Sequence, residues 1–97
     1  MTDIGKRIKE LREERDLTMD LLVHDLNTTY QIEIHKSNVS RWESGQTEPS
    51  LKYARILAEY FNVSLDYLIG LTDVRTPARL LAYARAIGNM KKGADEP

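Results

Sequence analysis

The stretch "KSNVSRWESG", Lys36 to Gly45, gathers side chains suited to hydrogen bonding around the chain's single tryptophan. Val39 and Trp42 lie about one helical turn apart, so they share a face and mark the buried side of a helix. Lys36, Ser37, Ser40 and Arg41 then face the other way, with hydroxyls and cations turned outward. On residue type alone such a face is more often solvated surface than a binding surface. Catalytic chemistry has no footing here. The sequence holds no nucleophile–base arrangement, phosphate-cradling glycine loop or cofactor fingerprint, which reads against an enzyme and against a cofactor. His24 and His35 have no partner at ligand spacing and there are no cysteines, so no metal site is expected.

The elements that must position these residues read as helices. Thr2 can cap a first helix whose Ile4, Ile8 and Leu11 form one stripe, ending near Asp16. Thr18 suits the start of a second, with Leu22 and Leu26 a turn apart and room to continue to Tyr30. A third runs from about Ser37 to Ser44, where Gly45 supplies a left-handed stop. "QTEPS" is a loop, because Pro49 restricts Glu48, and Ser50 can cap a fourth helix. That helix places Leu51, Ala54, Leu57, Ala58 and Phe61 on one face. Ser64 caps a short fifth, "LDYLI", closed by Gly70. In "YQIEI" the apolar Tyr30, Ile32 and Ile34 alternate, which we read as a loop that tucks them inward, with both isoleucines at least half buried. The acid-rich "KELREERD" reads as a solvated face, with Glu10 and Glu14 paired to Lys6 and Arg7.

After Asp73 the register changes. "TPARLLAYARAIGNM" puts Pro77 in a first turn and spaces Leu80, Ala84 and Ile87 at helical intervals. The chain thus divides into a domain over 1–73 and a C-terminal helix with polar tail over 74–97. The hydrophobic share of 41% over 97 residues suits one packed domain. No apolar run reaches the roughly 18–20 residues needed to span a bilayer. "MTDIGKRIKE" lacks the apolar segment of a secretory leader, so a cytoplasmic location is expected. Residues 1–73 carry 9 basic and 13 acidic side chains, net −4, whereas 74–97 carry 5 and 2, net +3. Within 35–42 there are two cations and no acid, and local sign outweighs the sum for any partner at that face.

Three separate stretches, "IGKRIKELREERDLT", "VSRWESGQTEPSL" and "LAEYFNVSLDYLIGLTD", occur in the order that resembles the XRE-type helix-turn-helix family of temperate-phage repressors and Cro proteins. The resemblance covers residues 4 to about 73 and implies an all-α fold, a five-helix lambda-repressor-like DNA-binding domain, here with a C-terminal helix added. It implies a transcriptional regulator, a repressor by the family's habit, whose third helix enters the major groove of double-stranded DNA. Carried onto this sequence, base contacts fall to Lys36, Ser37, Ser40 and Arg41, and sugar-phosphate contacts to Thr18, Asn38, Ser44 and Gly45. Arg12 and Glu43 match a structural ion pair, and Leu22, Val39 and Trp42 match the core of the motif. A homodimer on a near-palindromic operator is implied, with the C-terminal helix either pairing with its symmetry mate or folding back on its own domain.

The sequence departs from the pattern in three places. Met19 stands where relatives often carry a phosphate-binding glutamine. The segment "LNTTYQIEIHKSN" is about six residues longer than the usual tight turn. His35 occupies a position that serine or threonine often caps, which makes Ser37 the expected cap of the third helix. The competing class is a protein-interaction module on the same scaffold, an antitoxin or antirepressor partner, favoured by the net −4 of residues 1–73.

Overall fold

Side-chain oxygens start four of the five helices. The computed structural model describes residues 3–77 and 83–88 of the chain. Its helices are α1 (Ile4–Glu14), α2 (Met19–Tyr30), α3 (Lys36–Ser44), α4 (Leu51–Phe61) and α5 (Leu65–Leu68), with a further helical segment at 83–88. Among the described residues there is no strand. Thr18, Ser50 and Ser64 each accept from a backbone N–H three residues on, satisfying a donor that the first turn leaves free. The cap of α1 is Asp3 rather than Thr2, its carboxylate accepting from the Lys6 N–H at 2.8 Å. A carboxylate also complements the positive end of the helix.

Helix ends follow residues that tolerate left-handed backbone. Asp16, Gln31 and Asn62 have φ near +55°, and Gly45 and Gly70 have φ of 82° and 87°. α1 therefore stops at Glu14, two residues before the expected end. α3 begins at Lys36 with His35 as its cap residue, so Ser37 lies within the first turn and is not the cap. The physical reason is Asn38, whose side-chain oxygen accepts from the His35 N–H at 2.8 Å and closes the turn without a serine.

The core is one cluster drawn from α1 to α5. Ile8, Leu22, Leu26, Val39, Leu57 and Leu68 are almost wholly inaccessible. Truncating any of them to alanine would cost about 2–5 kcal/mol. α1 packs on α3 and α5, α2 on α3 and α4, and α4 on α5. In α4 the expected face holds for Ala54, Leu57, Ala58 and Phe61, but Leu51 is 77% exposed and Ile56 is buried in its place. Leu51 is the first helical residue, beyond the reach of the packed turns.

The 31–35 segment is a loop, as its pattern suggests. Ile34 is buried and Ile32 and Tyr30 pack against the core at its edge. The loop is fixed to α2 by Asn27, whose amide donates to the Ile34 carbonyl at 3.0 Å while its oxygen accepts from the Ile34 N–H at 2.9 Å.

Val74 and Arg75 are tied to the bundle. The Ser64 N–H donates to the Arg75 carbonyl at 2.7 Å, and the Arg75 guanidinium makes two bonds to Glu14 at 2.6 and 2.8 Å. Residues 83–88 are exposed throughout, Tyr83 at 66% and Ile87 at 43%, so these side chains do not cap the domain's own core. Thr2, Leu80, Leu81 and the tail after residue 88 lie outside the described residues. No helix among the described residues is long and apolar enough to cross a membrane.

Candidate nucleic-acid interface

α3 is held from behind by contacts that leave its front open. Val39 and Trp42 are buried, and Trp42 meets the Tyr53 ring of α4 at 5.9 Å between centroids. Lys36, Ser37, Ser40, Arg41 and Ser44 are all exposed. Their spacing of i, i+1, i+4, i+5 and i+8 places them on one side of the helix, opposite Val39 and Trp42. The structure thus brings the four expected base-contact residues onto a single surface.

Two contacts fix the pitch of this helix. Arg12 and Glu43 form a two-point ion pair, Nε to Oε2 at 2.7 Å and Nη2 to Oε1 at 2.9 Å, with side chains 12% and 4% exposed. Hydrogen bonding to Glu43 raises the Arg12 pKa above its ordinary value in spite of burial, so the guanidinium is held in its charged form. The third arm of the guanidinium donates to the Leu17 carbonyl at 2.8 Å, which also ties down the turn before α2. The second contact is Gly5, buried on α1 where its backbone abuts the Trp42 and Glu43 carbonyls. Sequence reasoning missed this one. A glycine inside a helix, costing about 1 kcal/mol relative to alanine, was the available signal.

The expected sugar-phosphate residues differ in what they have left to offer. Thr18 is exposed at the start of α2, its hydroxyl oxygen engaged by the Leu21 N–H at 3.1 Å. By helix geometry the N–H groups of residues 19 and 20 lack an intrahelical partner there, at the positive end of the helix. Met19 is partly buried against the core, which accounts for an apolar side chain at this position. Asn38 uses its oxygen on His35 and keeps its amide donors. The Ser44 hydroxyl donates to the Arg41 carbonyl at 3.1 Å, and the N–H groups of Gly45 and Gln46 return to the carbonyls of Trp42 and Arg41. Gly45 therefore closes the helix with its own N–H rather than presenting it outward.

Arg7 was expected on a solvated face with Glu14, but it is buried. It lies 3.9 Å from the centre of the Tyr67 ring and bonds Asp73 at 2.9 Å. Glu14 is engaged by Arg75 instead, which lowers the Glu14 pKa through their hydrogen bonds. A single-helix pattern cannot show that partners 61 and 66 residues away compete for these groups.

A helical framework with an outward polar face on its third helix defines a class of binding domain, and comparison with known proteins gives the family. The helix-turn-helix family model matches residues 8–68. The chain belongs to that family. It is 36% identical over 72 residues to the uncharacterized HTH-type transcriptional regulator YobD of Bacillus subtilis (strain 168), a match covering 74% of this chain and 59% of that protein. It is 32% identical over 71 residues to the HTH-type transcriptional regulator ImmR of the same organism, covering 73% and 51%. With the HTH-type transcriptional activator BcrR of Enterococcus faecalis it shares 24% over 90 residues, covering 93% and 39%. The matched stretches thus span between 39% and 59% of these relatives.

Proposed function

We propose that this chain is a sequence-specific DNA-binding regulator of transcription, acting as a repressor, that reads the major groove with the exposed face of α3. The observation that carries this is the segregation of α3 itself. Lys36, Ser37, Ser40 and Arg41 face outward together, while the one acid of the helix, Glu43, is withdrawn into the pair with Arg12. In the major groove Arg41 and Lys36 would donate to guanine O6 and N7, and the serines would donate or accept. The α2 N-terminus at Thr18 and the Asn38 amide would meet the sugar-phosphate strand, and Ser44 would join them by turning its hydroxyl away from the Arg41 carbonyl. The family match and the regulator names of the relatives support the same reading.

The net negative charge of residues 1–73 favours the rival class, a module that binds a partner protein. Pairs within that span, Glu43 with Arg12 and Asp73 with Arg7, already cancel in the sum, and Arg75 from outside it offsets Glu14. What DNA would meet at α3 is the local sign, and residues 35–42 carry two cations and no acid.

A domain with so few outward cations needs a second copy to reach useful affinity at physiological salt. We place the homodimer contact on the C-terminal helix, whose exposed Tyr83 and Ile87 offer a stripe that a two-fold axis can bury from both chains. Half-site centres would then lie about 34–36 Å apart. A regulator of this kind works in the cytoplasm, without metal or cofactor.

Footprinting on DNA flanking its own coding region tests the proposal. Protection of two related half-sites one helical turn apart is expected, and a uniform, sequence-independent pattern would contradict it. Truncation after Pro77, which keeps the Arg75 clasp, should leave a folded monomer with weakened protection. A truncated chain that stays dimeric would move the two-fold contact into the bundle.

A further inference from the structure

We propose that Asp20 is a specificity-determining residue of the reading face, whose carboxylate suppresses phosphate-only binding and holds Lys36 for base edges. This rests on the DNA-binding role proposed above. Asp20 lies in the first turn of α2, and its Oδ2 is 3.8 Å from the Lys36 Nζ in the first turn of α3. Both side chains are largely exposed, at 74% and 63%. Along residues 18–20 and 35–45, Asp20 is the one exposed carboxylate, since Glu43 is closed in its pair with Arg12.

Its position sets it against both expected contacts. The N–H groups at the α2 N-terminus attract a phosphate, and a carboxylate in the same turn both competes for that positive end and repels the incoming charge. Lys36 is a flexible point charge that would otherwise settle on any phosphate within reach. The pair is exposed and so contributes little to stability. Its effect falls on the encounter with DNA. In a sequence-independent complex, every phosphate near α2 meets the carboxylate, and Lys36 gives up its partner for no base-specific return. At the operator, Lys36 bonds guanine O6 and N7, and the carboxylate can accept from a cytosine amino group in the same groove. Asp20 thus weakens the wrong complex more than the right one, a discrimination built from repulsion as well as attraction.

The test compares Asp20→Asn with Asp66→Asn, which removes the same charge from the first turn of α5, a helix packed on α1 and α4. Affinities of the full chain are measured for its selected site and for scrambled duplex of equal length, between 50 and 200 mM salt. Asp20→Asn should bind scrambled DNA more tightly, with a salt slope steeper by about one, hence about fourfold more affinity lost across that range. Affinity for the selected site should change less, so the ratio of the two falls. Asp66→Asn should leave both the ratio and the slope unchanged, and in a Lys36→Ala background Asp20→Asn should lose most of its effect on the slope. An unchanged ratio in Asp20→Asn, or an equal change in Asp66→Asn, overturns the role of Asp20 while leaving DNA binding intact. A parent chain without salt-dependent binding to any duplex overturns both.

Discussion

Gly5 of α1 meets Trp42 of α3 backbone to backbone, so closely that a methyl group on Gly5 would overlap the Trp42 carbonyl oxygen and lie 3.1 Å from its carbon. Two helices can approach this way only where one of them lacks a Cβ. Glycine to alanine inside a helix ordinarily stabilises by about 1 kcal/mol. Here the obstruction is backbone and cannot swing aside, so overpacking of about 1–3 kcal/mol should prevail. Gly5→Ala is therefore expected to lower the melting temperature. A higher one would show that α1 and α3 are less tightly apposed.

The Arg12–Glu43 pair should behave as a buried one. Arg12→Ala strands the Glu43 carboxylate and should cost about 3–5 kcal/mol by urea denaturation. Replacing both, Arg12→Met with Glu43→Leu, should recover most of that loss, because no charge is then left without a partner. A loss below about 1 kcal/mol in the single variant would place the pair in effective contact with water.

The all-helical order was legible because apolar periodicity and caps at Thr18, Ser50 and Ser64 act over a few residues. The Arg12–Glu43 pair came through resemblance, since 31 residues separate its members. What escaped the sequence was decided by distant partners or by close approach: Arg7 drawn to Asp73 and Tyr67, Arg75 clasping Glu14, Gly5 under Trp42. The start of α3 was misplaced at Ser37 because propensity weighs the cap residue alone. In the folded chain Asn38 bonds backward to His35 and makes a serine cap unnecessary. The outward face of α3 was legible, whereas the inward engagement of Ser44 and Gly45 was not.

Asn27 should govern the lengthened turn. Its two bonds to Ile34 are the side-chain anchor of the loop that delivers the chain to α3. Asn27→Ala leaves a partly buried backbone pair to be resatisfied and should cost about 1–3 kcal/mol. Amide exchange at Ile34 should accelerate more than at Leu22. Shortening 28–33 to a tight turn should lower the melting temperature as well, because it removes the approach that buries Ile34. Unchanged exchange at Ile34 in Asn27→Ala would show that burial of Ile34 alone holds the loop.

Alkaline stability should depend on Tyr60. Burial, together with the hydrogen bond to Asp25, pushes its phenol from 10.0 up to about 12. The raised value favours the neutral hydroxyl in the folded state. Its contribution is complete below about pH 10 and is lost as pH rises through about 12. Tyr60→Phe should be less stable than the parent at pH 7, by about 1 kcal/mol. The gap should narrow between pH 10 and 12. A gap that stays constant to pH 12 would mean that the Asp25 contact does not form in solution.

Selection of bound sequences from a random duplex pool tests most directly whether the exposed face of α3 reads bases. The parent chain should enrich a two-fold related motif, and Arg41→Ala should retain the motif except at one position per half-site. There it should lose about 1–3 kcal/mol of discrimination, with its melting curve unaltered. A pool that shows no enrichment with the parent chain, or the same motif at full strength with Arg41→Ala, would contradict the assignment of α3 as the reading helix.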